Sequence, residues 1–271
     1  MNKFTIIFVV MSLFISVTFL SACNDKYTNV TGKVEIISEK SFQISPGKNL
    51  ILDAPGADVS ISSWDKSEVY FKVTGSVKAR EKLDIDYSAD DSNVILKIKP
   101  KKSFLNWLNN ISLSVEVKLP KNFNTDVSTS GGDITLNNVD GNLLLETSGG
   151  DIDCNSFTGN LEVSTSGGDI TLSGKDSKID ASTSGGDIML DYSGKNNGIS
   201  LSTSGGDILV KLPADFSAAM NISTSGGDVM CNLKMNNVEK LDEQEVIADL
   251  NEGGDLFSAS TSGGDIDVRK K

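Results

Sequence analysis

Histidine is absent from this chain, and arginine occurs only as Arg80 and Arg269. The first absence removes the commonest general base and the commonest zinc ligand. Aromatic residues make up 6% of the sequence. A compact core filled by large side chains is therefore not expected, and ladders of small and β-branched residues fit better. Acidic side chains outnumber basic ones, 37 to 25, for a net charge of −12. Such a surface repels nucleic acid, which excludes DNA and RNA as partners. It also repels an anionic membrane, so any membrane attachment has to be covalent or hydrophobic.

Only one long apolar run exists, Phe4 to Leu20, and it follows the short positive start Met1-Asn2-Lys3. Leu20-Ser21-Ala22-Cys23 comes next. A positive start, an apolar stretch and small residues before a cut are the physics of a secretory signal. Residues 1–22 are thus expected to be a signal peptide. The Leu-Ser-Ala-Cys string resembles the lipobox of bacterial lipoproteins, which implies acylation at Cys23. One acyl chain binds a membrane marginally and two or more hold stably. Residues 23–32 read as a polar tether. Asn24 is not the aspartate that retains some lipoproteins in an inner membrane, which points to the outer membrane or cell surface. Removing the first 22 residues, with Lys3, leaves 24 basic and 37 acidic side chains, a charge of −13.

The rest of the chain is repetitive. Ser-Gly-Gly-Asp ends at Asp133, Asp151, Asp169, Asp187, Asp207, Asp228 and Asp265, with gaps of 18, 18, 18, 20, 21 and 37 residues. The last gap spans about two repeats, and Gly253-Gly254-Asp255 inside it reads as a degenerate copy. Aligned on the aspartate, the next residue is Ile134, Ile152, Ile170, Ile188, Ile208, Val229 or Ile266, and apolar residues return two positions later. That alternation is a strand with one buried face. Residues six positions upstream are all apolar and those eight upstream are apolar apart from Thr125, which marks a second strand, and threonine always stands four upstream, from Thr129 to Thr261. Glycine pairs permit positive φ and let backbones stack without Cβ collisions. Identical columns at a constant period describe stacked coils. The expected fold is all-β: a parallel β-helix or β-solenoid with ~18-residue coils over residues 121–268. Residues 33–120 read as its degenerate, β-rich beginning, capping one end. Gly56-Ala57-Asp58-Val59 looks like a worn copy of the bend. An acidic insertion at 236–250 reads as a loop or short helix over the last coils.

These repeats, with Asp58-Val59-Ser60-Ile61-Ser62-Ser63-Trp64-Asp65 and Val115-Glu116-Val117-Lys118-Leu119-Pro120, resemble the bacterial "putative adhesin" β-strand-repeat family. The resemblance covers roughly residues 40 to 268. It implies an envelope-associated, β-helical protein and carries over no catalytic residue.

Beside inward isoleucines, the seven aspartates should point outward and form a row on one edge. Like charges ~4.8 Å apart repel by about 1 kcal/mol in water. Turn amides and serine hydroxyls donating hydrogen bonds to the carboxylates would offset this. Bound calcium is the alternative, but the third glycine of the calcium-binding nonapeptide is missing. No metal or other cofactor is expected. Some β-helices cleave acidic polysaccharides, yet a catalytic constellation is usually unique and every candidate here is repeated. The chain is therefore read as a non-enzyme, a surface-binding lipoprotein held to the membrane through Cys23 and contacting surface glycans or envelope proteins. A scaffold or stress-sensing component binding other proteins is the alternative, and a carbohydrate-active enzyme the last. The segment Lys97 to Leu108 is basic and aromatic-bearing, read as a covering loop or as a contact with a partner or membrane. Cys154 and Cys231 fall in one inward column four coils apart, ~19 Å, too far to bridge.

Overall fold

A computed structural model describes residues 34–101 and 111–271. The signal segment, the tether, Cys23 and the part of the Lys97–Leu108 segment from 102 to 108 lie outside the described residues. The described chain is all-β apart from one six-residue helix.

Chain order gives β1 (Val34–Gln43), β2 (Asn49–Asp53), β3 (Asp58–Trp64), β4 (Glu68–Ser76), α1 (Val77–Lys82), β5 (Leu83–Ala89), β6 (Asn93–Pro100) and β7 (Leu113–Pro120). The regular region holds β8 (Asn124–Ser128), β9 (Ile134–Asn137), β10 (Asp140–Glu146), β11 (Ile152–Ser164), β12 (Ile170–Ser182), β13 (Ile188–Ser193), β14 (Ile199–Ser202) and β15 (Ile208–Leu212). It ends with β16 (Ala218–Thr224), β17 (Val229–Cys231), β18 (Met235–Leu241), β19 (Glu245–Leu250), β20 (Leu256–Thr261) and β21 (Ile266–Lys270).

Each repeat gives one strand to either side of its Gly-Gly bend. Before the bend, β6, β2, β8, β10, the second halves of β11 and β12, β14, β20 and β16 run parallel in that spatial order. After the bend the parallel order is β7, β3, β9, the first halves of β11 and β12, β13, β15, β21 and β17. Antiparallel strands finish the rows: β5 on β6, β4 and then β1 on β7, and β19 and then β18 on β16. The sheet is open, not a closed barrel. Alternation puts the repeat's apolar columns inward, and Ile134, Ile152, Ile170, Ile188, Ile208 and Ile266 are at most 1% exposed. Burying each such side chain contributes about 1.5–3 kcal/mol. Val229 and Cys231 of the same columns are only half-buried, because β17 ends its row.

Chain order and stacking order part company at both ends. The repeat of Asp265 lies between those of Asp207 and Asp228, since β21 pairs with both β15 and β17. At the other end β2 and β3 lie between the β6/β7 layer and the β8/β9 layer. Three expectations change as a result. Gly253-Gly254-Asp255 is not a worn repeat; it is the turn from β19 to β20, with φ of +75° at Gly253 and +134° at Gly254. The Asp255 carbonyl accepts the Ala219 N–H there. Residues 236–250 are neither loop nor helix; most of them form the antiparallel β18–β19 hairpin. Cys154 and Cys231 stand five layers apart, not four, because the last repeat is inserted between them. Both are free.

Candidate functional site

The Ser-Gly-Gly-Asp bends line up along one corner, so one side-chain column per position runs down the stack. Threonine, the second glycine and the isoleucine are buried or nearly so, while serine, the first glycine and aspartate are exposed. Each part has its own physical reason.

The threonine hydroxyl ties layers together. Thr147 Oγ1 donates to the Gly132 carbonyl at 3.0 Å, Thr165 to Gly150 at 3.0 Å, Thr183 to Gly168 at 2.9 Å and Thr203 to Gly186 at 2.9 Å. Thr261 and Thr224 continue the series on Gly206 and Gly264. The same oxygen accepts the N–H of its own second glycine, as in Gly168 to Thr165 at 3.3 Å. The second glycine is forced by close approach, not by backbone freedom: its φ is not positive. A Cβ on Gly168 would sit 2.0 Å from the Gly150 carbonyl oxygen, and Gly132, Gly150, Gly186 and Gly206 show clashes of 2.0–2.1 Å. The expectation that these pairs serve positive φ is thereby corrected, and the expectation of Cβ-free stacking holds for the second member. At the first member the nearest atom is 3.2 Å or more away.

Each aspartate carboxylate except that of Asp228, the last of the row, accepts the backbone N–H of the aspartate in the next layer. Asp133 Oδ1 takes the Asp151 amide at 2.9 Å, and Asp151, Asp169 and Asp187 take the amides of Asp169, Asp187 and Asp207 at 2.8 Å. Asp207 then takes the Asp265 amide and Asp265 that of Asp228, both at 2.8 Å. The seven aspartates thus form one row, in the order Asp133, Asp151, Asp169, Asp187, Asp207, Asp265, Asp228. Asp58 extends it, accepting the Asp133 amide at 3.2 Å. A charged acceptor gives a stronger bond than a neutral one, which offsets repulsion along the row. One oxygen of every carboxylate but that of Asp228 is engaged along the row, and the aspartates remain exposed to solvent. Among the described residues no group of three or more His, Cys, Asp or Glu side chains is placed to hold a metal.

A second polar row escaped the sequence reading. Asn49, Asn124, Asn142 and Asn160 stand nine residues before Asp58, Asp133, Asp151 and Asp169, a regularity that was open to inspection. Asn124 Nδ2 donates to Asn49 Oδ1 and Asn160 Nδ2 to Asn142 Oδ1, both at 2.9 Å, while Asn124 Oδ1 accepts the Asn142 N–H at 2.9 Å. They border a shallow groove of about 610 Å³ with Ile51, Leu144 and Glu162. Of the basic segment, Lys97 and Lys99 lie exposed on β6, opposite Asp86 and Asp84 of β5. Burial pushes the Cys154 thiol well above its ordinary range, with Asp153 adding to it, and Cys231 is raised by burial too.

An open all-β sheet of stacked repeats, with a hydrogen-bonded aspartate corner, defines the class of protein. Within it, the chain belongs to the Toastrack DUF4097 family, whose pattern matches residues 34–269. No curated protein matches the chain. Distant structural likenesses exist to a "putative cell adhesion protein" of Clostridium sporogenes (16% identity, TM-score 0.39, covering 88% of this chain and 100% of that one). Others are a "putative adhesin" of Bacteroides fragilis and a "putative lipid binding protein" of Parabacteroides distasonis (each 14% identity, TM-score 0.41, covering 88% of this chain and 97% of the other). Likenesses this distant carry no weight for function. Among the described residues no helix is long and apolar enough to cross a membrane.

Proposed function

We propose that this chain is a lipid-anchored envelope protein of the cell surface or outer membrane, a non-catalytic β-solenoid that adheres through its aspartate edge. The observation that carries the reading is the register of the row. Seven exposed aspartates, flanked by exposed serines such as Ser148, Ser166 and Ser184, repeat once per layer on one corner. A flat row of this kind has no enclosure for an apolar small molecule. It suits hydroxyl-rich glycans or cationic groups of envelope proteins, with weak single contacts multiplied along the row. The absence of histidine and the repetition of every polar side chain on the edge support a binding role over a catalytic one. The Leu20-Ser21-Ala22-Cys23 string supports anchoring through lipid on Cys23.

The test replaces Asp151, Asp169 and Asp187 together by Asn. These changes keep an acceptor for the next amide, so the fold is preserved while the charge is removed. Adherence of the variant to the parent cells' surface, or to a glycan array, is expected to fall at least about tenfold, as multivalent binding amplifies small losses. Equal adherence by the folded variant would make the edge purely structural. For the anchor, Cys23→Ala is expected to abolish incorporation of labelled palmitate.

A further inference from the structure

The chain's charge is not evenly spread. Residues 34–121 carry 13 basic and 12 acidic side chains, whereas residues 122–268 carry 6 and 24. The repulsion expected between the whole chain and an anionic surface therefore belongs to the regular repeats and not to the end where the described chain begins.

That end has a distinctive corner. The end of β6 and the start of β7 lie at the same corner as the aspartate bends, because β6 and β7 stack on β2 and β3. Helix α1 is tied at both ends to residues beside these strand ends. Ser76, just before it, donates its N–H to the Ser112 carbonyl at 3.0 Å, and the Lys82 carbonyl at its end accepts the Lys101 N–H at 2.8 Å. Lys101 Nζ also reaches the Arg80 carbonyl at 3.4 Å. The exposed cations Lys78, Arg80, Lys82 and Lys101 are thus gathered at one place, with Glu35 (paired to Arg80 at 3.0 Å), Glu81 and Asp84 (opposite Lys99) as the nearby acids. Beside them stand three large apolar residues in solvent: Val34 at 53%, Ile36 at 49% and Val77 at 45% exposure. Val34 pairs with Ser76, so the chain enters the fold at this corner.

We infer that the α1 corner is a docking surface for the anionic phospholipid bilayer that carries the anchor, so that the aspartate row points away from the membrane. The inference rests on the lipid-anchor reading of Cys23. Ten residues lie between Cys23 and Val34, which limits the reach of the tether to about 40 Å even when fully extended. Exposed aliphatic side chains beside a net positive cluster match an apolar–anionic interface, with electrostatic and hydrophobic parts adding. Within the row Asp58 is nearest this corner, and Asp228 lies seven layers beyond Asp58, about 34 Å at ~4.8 Å per layer. A bilayer at the corner therefore leaves the row standing on end in the solvent.

The experiment uses the full lipidated chain on nanodiscs of phosphatidylcholine alone or mixed with phosphatidylglycerol. A spin label is placed by Val77→Cys, or at the far end by Ser225→Cys, in a Cys231→Ser background. On the anionic discs the Val77 label is expected to lose at least about fivefold of its accessibility to a water-soluble nickel relaxer, about the effect of one net charge at the surface. The Ser225 label should lose none. Reversing Lys78, Arg80, Lys82 and Lys101 to Glu should restore access while the chain stays on the discs, and so should 0.5 M salt on the unreversed chain. A disc-bound chain whose Val77 label is as accessible on anionic as on neutral discs, or is unmoved by both reversal and salt, overturns the inference and leaves the anchor intact. A chain that does not stay on any disc overturns the anchor reading and the inference with it.

Discussion

The regular repeats and the N-terminal part build the same two rows of strands from different chemistry. In the repeats, identical residues meet identical residues: threonine on the neighbouring glycine carbonyl, aspartate on the neighbouring aspartate amide. In the N-terminal part the contacts are individual. Phe42, Phe71 and Tyr87 pack with ring centroids 5.6–6.2 Å apart, Tyr87 bonds Ser38 across the end, and Tyr70 bonds Glu39. The difference follows from neighbours. A middle layer meets a copy of itself on both sides, so a residue that serves one contact serves all. Near the end of the row that constraint lapses, and Ala57 takes the place of the second glycine. Its carbonyl still accepts Thr129 Oγ1 at 3.0 Å.

The sharpest way to break this contrast is to put the N-terminal residue into a middle layer. Gly168→Ala drives a Cβ to 2.0 Å from the Gly150 carbonyl, backbone against backbone. It should cost more than about 3 kcal/mol or prevent folding. Gly167→Ala, with nothing closer than 3.8 Å, should change stability by less than about 1 kcal/mol. Denaturant midpoints of the two variants would show it, and equal midpoints would mean that the layers can separate to admit a methyl group.

Next in size is the threonine. Thr165→Val leaves the Gly150 carbonyl and the Gly168 N–H without their partner, worth about 1–3 kcal/mol. Thr125 makes an internal control. It lies in the column filled elsewhere by Leu143, Leu161 and Ile179, and its hydroxyl is buried with no partner among the described residues. Thr125→Val should be neutral or stabilising, because it removes an unsatisfied polar group. Chemical denaturation of both variants decides whether the hydroxyl's partners or only its shape matter.

A smaller effect separates the two regions by pH. Burial, then the bond to Glu39, pushes the Tyr70 hydroxyl up to about 12 from 10.0. The folded state therefore holds this proton more tightly than the unfolded chain. Its contribution is complete below pH 10 and is lost as pH rises through the interval up to about 12. The melting temperature of Tyr70→Phe should fall less between pH 9 and 11.5 than that of the parent. An identical fall in both would remove Tyr70 from the β1–β4 contact.

The sequence was legible where a local pattern has a single physical reading. The aspartate column, the inward isoleucines and the worn bend at Asp58 all follow from alternation and spacing. Two things were not legible. The order of layers depends on which edge a strand finds: the repeat of Asp265 pairs with the layers of Asp207 and Asp228 at once, and no residue in that repeat differs in type to announce it. The role of threonine was visible only as a constant letter. Its partner is a backbone carbonyl, which every residue has, so only the stacking distance selects the second glycine of the neighbouring layer.

The smallest expected effect concerns the aspartate row itself. Asp169 Oδ1 accepts the Asp187 amide at 2.8 Å, and its own amide goes to Asp151 Oδ1. Asparagine offers the same acceptor without the charge. Asp169→Asn loses the charge-assisted part of one bond and relieves repulsion from Asp151 and Asp187, each about 1 kcal/mol or less in an exposed setting. The two nearly cancel, and the melting temperature should move by no more than about a degree or two. Asp169→Ala keeps the relief but strips the Asp187 amide of its acceptor, a net loss of about 1 kcal/mol. Melting with calcium and with chelator completes the set. If the carboxylates are held by amides alone, the two curves coincide for parent and Asn variant alike. A parent that melts higher in calcium, with the rise abolished in Asp169→Asn, would instead place a cation between the outer oxygens of successive layers. The row would then differ from the N-terminal part in what it binds as well as in what holds it together.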